Sequence, residues 1–256
     1  MVKYLSTRLG KKCASGLVLG AAAAAFLAPS SANASLVLIL SEPGFPTLMV
    51  PDSGTGSIHY FLPYGDFSTD ITIAKSNSPG TPTGGLISVQ SDFLTNTSNH
   101  TATLDLSIAD VNFAGPNTSD TGLTLKSAVG GTFSSSTSSD SIQYSSYADP
   151  GNNLLTGLAV NPNPAGVTTT GSPVLTSPGG NAQAFSDQSF TGFTRNGLYS
   201  LAGLTTVTLS ANNSVISFSA DTSTSAGIGN NSPEPASAAV IAATGGFLML
   251  RRRRRA

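Results

Sequence analysis

Cysteine is all but missing from this chain of 256 residues. Its single copy, Cys13, sits near the N-terminus, so the remainder can form no disulfide, offer no thiolate nucleophile and build no cysteine metal site. Tryptophan is absent, which removes the largest aromatic platform and counts against a sugar-binding surface. Histidine occurs only as His59 and His100. Charge is scarce, at 10% of residues, and unevenly placed. Lys3, Arg8, Lys11, Lys12 and Arg251 to Arg255 take nine of the twelve bases. With Glu234 set aside, Ser35–Asn231 holds twelve acids against Lys75, Lys126 and Arg195, a formal charge of −9. A body so poor in cations cannot follow a phosphate backbone, which excludes nucleic acid as its partner. There is no G-x-S-x-G elbow, no H-E-x-x-H and no phosphate-binding glycine loop. Helical periodicity longer than a turn or two is also missing between Ser35 and Asn231.

What the chain does have is concentrated at its ends. The basic leader is followed by an uncharged apolar run, Ala14 to Ala28, then by Pro29-Ser30-Ser31 and the small-residue site Ala32-Asn33-Ala34. This order is that of a secretory signal helix over residues 1–34, cut by signal peptidase between Ala34 and Ser35. No Arg-Arg pair precedes the run, which favours the general export route over the twin-arginine one. The alternative is an uncleaved anchor, since Leu36 to Leu40 prolongs the apolar character. At the other end, Ser232 to Ala256 has three parts: Pro233-Glu234-Pro235, the uncharged Ala236 to Leu250, and five consecutive arginines, Arg251, Arg252, Arg253, Arg254 and Arg255. As a helix the apolar part reaches about 22 Å, short against a bilayer core of about 30 Å. The arginines resist transfer and act as a membrane stop on the cytoplasmic side. The two prolines hold Glu234 in an extended tripeptide outside. A buried core helix and a nucleic-acid-binding tail are the competing readings. The order of the three parts argues against both.

This tail resembles the PEP-CTERM sorting signal of double-membraned bacteria. The likeness rests on Pro233, Glu234, Pro235, the apolar run with Gly245 and Gly246, and the terminal arginines. Ser232 departs from it, standing where many members carry valine. The resemblance implies processing by an exosortase, a membrane cysteine protease or transpeptidase, near the tripeptide. The precursor would be held in the inner membrane, and the body then released or attached at the cell surface.

The body reads as β. Ala102 to Ile108 alternates apolar and polar residues, and the phase then slips by one toward Val111 and Phe113, as a bulge near Ala109-Asp110 produces. Other expected strands are Ser57–Leu62, Phe67–Ala74, Leu86–Phe93, Gly122–Lys126, Ile142–Tyr147, Ala184–Phe190 and Leu198–Leu204. A hairpin is expected from Thr205–Leu209 through Ala211-Asn212-Asn213 to Ser214–Ala220. Many short strands between turn residues point to an all-β fold over 35–221, an antiparallel sandwich of jelly-roll-like form. The stretch from Tyr199 to Ser219 also resembles the final hairpin of many small PEP-CTERM surface proteins, with low specificity. Thr132 to Ser141, with eight Ser or Thr in ten positions, reads as a loop or a polar edge strand. Pro150 to Gly180, with five prolines and six glycines, reads as a long loop. Residues 222–231 read as a flexible linker. Asn96, Asn99, Asn117 and Asn212 lie in N-x-S/T sequons.

Candidate chemistry in the body is thin. Serines and aspartates are everywhere, so a Ser–His–Asp site around either histidine is permitted but not selected. His59, between Ile58 and Tyr60, reads as a strand residue on a polar face. Asp66 with Asp70, or Asp105 with Asp110, are the acids to consider for calcium, without the spacing of a known loop. No cofactor and no metal site is expected, and nothing selects the carboxylate pair of a glycosidase. Three classes remain: a non-catalytic surface or exopolysaccharide-matrix protein, a carbohydrate-binding module, and a polysaccharide hydrolase. The first is the expectation. Tyrosines 60, 64, 144, 147 and 199 clustered on one exposed face would favour the second. A concave site with two close carboxylates would favour the third.

Overall fold

A computed structural model describes residues 35–116, 122–171, 173–211 and 213–227. The leader before Ser35, Pro233-Glu234-Pro235, the apolar run and the arginines lie outside them, as do the two flanking helices expected from the sequence. Among the described residues no helix is long and apolar enough to cross a membrane.

The described chain is all β, two antiparallel sheets packed as a sandwich. Its strands are β1 (Val37–Ser41), β2 (Leu48–Pro51), β3 (Ser57–Tyr60), β4 (Phe67–Ser76), β5 (Leu86–Asn96), β6 (Ala102–Phe113), β7 (Gly122–Ser136), β8 (Ser141–Asp149), β9 (Thr168–Gly171), β10 (Leu175–Thr176), β11 (Gly180–Thr194), β12 (Tyr199–Leu209) and β13 (Val215–Ala226). The first sheet runs β10-β8-β12-β6-β1-β2, with β9 also on β8. The second runs β11-β7-β13-β5-β4-β3.

Alternation decides which side chains meet between the sheets. Leu104, Leu106 and Ile108 of β6, with Leu38 and Leu40 of β1, face Ile87 and Val89 of β5 and Ile216 and Phe218 of β13 in one buried cluster. A smaller cluster lies on the far side of the first sheet. There the segment 150–167 lays Leu158, Leu155 and Val167 over Val37, Ile39, Ala109, Tyr147, Ala202 and Leu204. β1 is thus covered on both faces.

Four expectations need correction. Thr205–Leu209 and Ser214–Ala220 are not a hairpin: β12 pairs with β6 and β8, while β13 pairs with β5 and β7 in the other sheet. The connection between them is an arch across the core. The linker does not begin at Thr222, because β13 continues to Ala226, with Thr222 and Thr224 buried. Their hydroxyls have partners inside the sandwich, which an exposed stalk could not supply. Thr132 to Ser136 belongs to β7, which lies between β11 and β13 and is not an edge strand. The bulge sits at Val111-Asn112, where β6 carries an extra residue opposite β12 and Asn112 takes φ 67°.

Across the core the sheets are joined by hydroxyls as well as apolar contact. Tyr144 and Thr222 meet at 2.7 Å, and Thr222 donates to Ser146 at 2.7 Å. Nearer the sandwich end, Tyr199 meets Thr224 at 2.7 Å and donates to the Gly115 carbonyl. Phe113 stacks on the Tyr199 ring and Phe193 meets it edge-on. Arg195, the only arginine of the body, lies 5.8 Å from that ring and donates to the carbonyls of Ala114 and Pro116. The pairing of β1 with the end of β6, and of the end of β13 with the start of β5, brings Ser35 and Gly227 to this same end.

Candidate functional site

A gathering of catalytic residue types, Glu42, Asp66 and His100, lies at the opposite end. Tyr64 and Phe67 exchange both backbone hydrogen bonds, at 2.9 and 3.0 Å, around Gly65-Asp66. Gly65 holds φ +58°, and a Cβ there would stand 1.7 Å from Glu42 Oε2. That oxygen accepts the Asp66 N–H at 3.0 Å. Asp66 Oδ2 in turn lies 2.9 Å from His100 Nε2. Burial raises the Glu42 carboxyl above its usual range. The Asp66 N–H opposes this, the Asp66 carboxylate adds to it, and His100 opposes it.

Two carboxylates and an imidazole are what acid–base catalysis uses, and here each is engaged by a neighbour within the cluster. The Glu42 oxygen is spent on a backbone N–H. The second ring nitrogen of His100 faces Asn99 Oδ1 at 3.5 Å. The nearby Ser98 hydroxyl bonds Asn96 Oδ1 and the His100 carbonyl, not the ring. Among the described residues no hydroxyl is bonded to the His100 ring, and the cluster clamps the end of β1 to the start of β4 and to the β5–β6 connection. His59 is exposed on β3, as a polar-face residue should be.

The acids weighed for calcium do not converge. Asp105 and Asp110 are five residues apart on one strand, about 16 Å at about 3.3 Å per residue. Asp105 accepts the Thr206 hydroxyl at 2.6 Å, whereas Asp110 is buried at the strand's far end. Asp66 is engaged with His100, and Asp70 lies four residues away along the chain, within β4. Among the described residues no group of three or more His, Asp or Glu is arranged to hold a metal ion.

Two grooves remain. One, of about 570 Å³, runs beside the 150–167 segment on the outer face of the first sheet, lined by Asp105, Gln143, Tyr147, Asn163, Thr169 and Thr206 among others. Burial raises both the Asp105 carboxyl and the Tyr147 phenol above their usual ranges. Asp105 is the only carboxylate in that lining, so the two-acid geometry of glycoside hydrolysis is not present there. The other groove, about 620 Å³, is open along the outer face of the second sheet, beside Gly130, Ser186, Ser219 and Asp221. Burial raises the Asp221 carboxyl, and Lys75 and Lys126, two of the body's three cations, oppose it. Asp187 also lines this groove. Register sets it opposite Val129, however, while Asp221 is opposite Ala128, so the two project from opposite faces of the sheet.

The tyrosines do not form a binding platform. Tyr64, Tyr144, Tyr147 and Tyr199 are buried and Tyr60 is half-buried. Sequence reasoning singled out neither Glu42 nor Asp140 and gave Asn96 only its sequon, yet all three are buried and tie connections together. Asn96 stands in a sequon, yet its amide donates to the carbonyls of His100, Leu209 and Ser210, so the folded chain offers no free Nδ2 for a glycan. Of the residues assigned to processing, Ser35 alone is described. Pro233, Glu234, Pro235, the arginines from Arg251 to Arg255, and Ala32 and Ala34 lie outside the described residues. No protein-family model matches the chain, and no curated protein is significantly similar to it.

Proposed function

We propose that this is an exported, non-catalytic protein of the cell surface or exopolysaccharide matrix. Its sandwich is the displayed part and its C-terminal tail the address read by an exosortase. The observation that carries this reading is the order at the tail: Pro233-Glu234-Pro235, an uncharged run, then Arg251 to Arg255. Each arginine at mid-bilayer costs about 2.5–3.5 kcal/mol on insertion scales, so five in a row stop the chain with the tripeptide outside. The sandwich adds support. Its two ends, Ser35 and Gly227, leave from one end of the fold, so both membrane-directed segments attach on the same side. The gathered acids of the body serve backbone turns rather than a substrate.

Expression of Glu234→Ala in a double-membraned host that has an exosortase tests this. The variant should accumulate as a full-length, membrane-bound form while the parent is trimmed. Trimming of Glu234→Ala at the parental rate would reduce the tail to a plain anchor. Sugar binding is the second reading. It draws on the hydrogen-bonding side chains of the Asp105 groove, and calorimetric titration with matrix polysaccharide is its test.

A further inference from the structure

Asp110 is a buried acid without a cation. Alternation along β6 turns it to the core face, in line with Leu104, Leu106 and Ile108, and it is 0% exposed. Its Oδ1 accepts two backbone N–H groups, from Val111 at 2.7 Å and from Ser35 at 3.0 Å. Its Oδ2 is buried with no hydrogen-bond partner. Burial raises its carboxyl, the Ser76 side chain on β4 is the strongest influence against this, and the charged group acting on it is Asp52, a second carboxylate. Among the described residues the side-chain contact between a basic and an acidic group is His100 with Asp66, and no Lys, Arg or His stands within salt-bridge distance of Asp110. A buried carboxylate left half-satisfied beside a like charge is costly.

The nitrogen that reaches Asp110 from outside its own strand belongs to Ser35, the residue that follows Ala32-Asn33-Ala34. We propose that Asp110 is the receptor for the α-ammonium group of Ser35, which forms when the leader is cut and then fixes β1 in the first sheet. The proposal rests on the export reading for the position of the cut. Hydrolysis of the Ala34–Ser35 bond places the water's hydroxyl on the Ala34 carbonyl carbon and its hydrogen on the Ser35 nitrogen. At neutral pH that amine takes up a further proton. A single N–H donor thereby becomes three donors carrying a positive charge, able to serve both Asp110 oxygens through charge-assisted bonds. The nitrogen is held where it is needed, because Leu36 is buried and its carbonyl accepts the Asp52 N–H at 2.9 Å. Pairing favours the protonated amine in the folded state. Its contribution is therefore full below the amine's ordinary value of about 8 and is lost as pH rises through the higher folded value.

The test uses the chain from Ser35 to Ala256 in detergent micelles, released from a cleavable tag so that Ser35 is the first residue. It is compared with the same chain retaining Ala34, and with Asp110→Asn. An amine-acylating reagent is the probe, read by the mass of the N-terminal peptide. The Ser35 amine should react about tenfold more slowly than the Ala34 amine, the factor a one-unit rise in its pKa produces. The Ser35 form should also melt higher, and the difference should vanish at alkaline pH and in Asp110→Asn. Equal reactivity and equal melting of the Ser35 and Ala34 forms overturns the proposal, even if Asp110→Asn fails to fold. The N-terminus of the protein from its native host separates the two readings. A terminus other than Ser35 overturns the proposal through the export cut. A Ser35 terminus whose amine is unprotected overturns it while leaving export intact.

Discussion

Thr224→Val distinguishes a stalk from a strand. Thr224 is 5% exposed, and its Oγ1 accepts the Gly85 N–H at 2.9 Å and meets the Tyr199 hydroxyl at 2.7 Å. Valine keeps the shape and removes both bonds. The Gly85 N–H is then left buried without its partner, at about 1–3 kcal/mol, and the lost bond to Tyr199 adds about 1 kcal/mol. A total near 3 kcal/mol lowers Tm by about 6–12 °C in a body of this size. Thermal unfolding followed by circular dichroism is the assay, with Thr224→Ser as the control that keeps the oxygen. Combining Thr224→Val with Tyr199→Phe should cost less than the sum of the two, since the pair shares one bond. A Thr224→Val protein that melts within a degree of Thr224→Ser would show that these hydroxyls do not hold the sheets, and that the residues after Asp221 behave as linker.

Two further outcomes follow from the same core. Asp140 is held below the usual carboxylate range: burial pushes it up, but bonds from Ser210, Thr137 and Ser214 prevail. Its contribution is therefore present above about pH 4 and lost as pH falls through the depressed folded value, so Asp140→Asn should flatten the acid limb of a pH–Tm profile. Gly203→Ala should cost about 1–3 kcal/mol in denaturant unfolding, because a Cβ there would stand 2.2 Å from the Tyr144 hydroxyl.

Strand positions were legible where one face met the core and the other met water. Ala102 to Ile108 shows this, since Thr103 and Asp105 are half-buried between buried neighbours. β1 was not legible as a strand. It is buried on both faces, one by the second sheet and one by Leu158 and its neighbours, so its sequence is a continuous apolar run. A run of that kind carries no period and merges with the apolar leader before it. The extent of β7 was hidden for the converse reason. Ser134 and Ser135 are exposed, and Phe133 alone marks the core side of its second half. At the site, types without partners were all that the sequence displayed. His100 and Asp66 are 34 positions apart, and their meeting depends on Phe67 pairing with Asn96.

The misread hairpin exposes a limit of a different kind. An apolar alternation has the same form whether the next strand pairs in the same sheet or crosses to the other, because both choices turn apolar side chains to one core. What differs is the backbone of the connection. A hairpin closes on its own ladder, whereas an arch leaves peptide groups facing the interior with no strand beside them. Three arches, β5–β6, β7–β8 and β12–β13, gather at one end of this sandwich. Buried polar side chains supply their missing partners. Asp140 accepts Thr137 N–H at 2.8 Å in its own arch and Ser210 N–H at 2.7 Å in the next. Asn96 donates to Leu209 and Ser210 in that arch and to His100 in its own. The cue in the sequence is thus an isolated Asp or Asn at the end of a strand, in a stretch otherwise free of charge. Asp140 within Thr132 to Ser141 is such a residue. Its side chain supplies the partners that a crossing there requires, where alternation leaves the choice open.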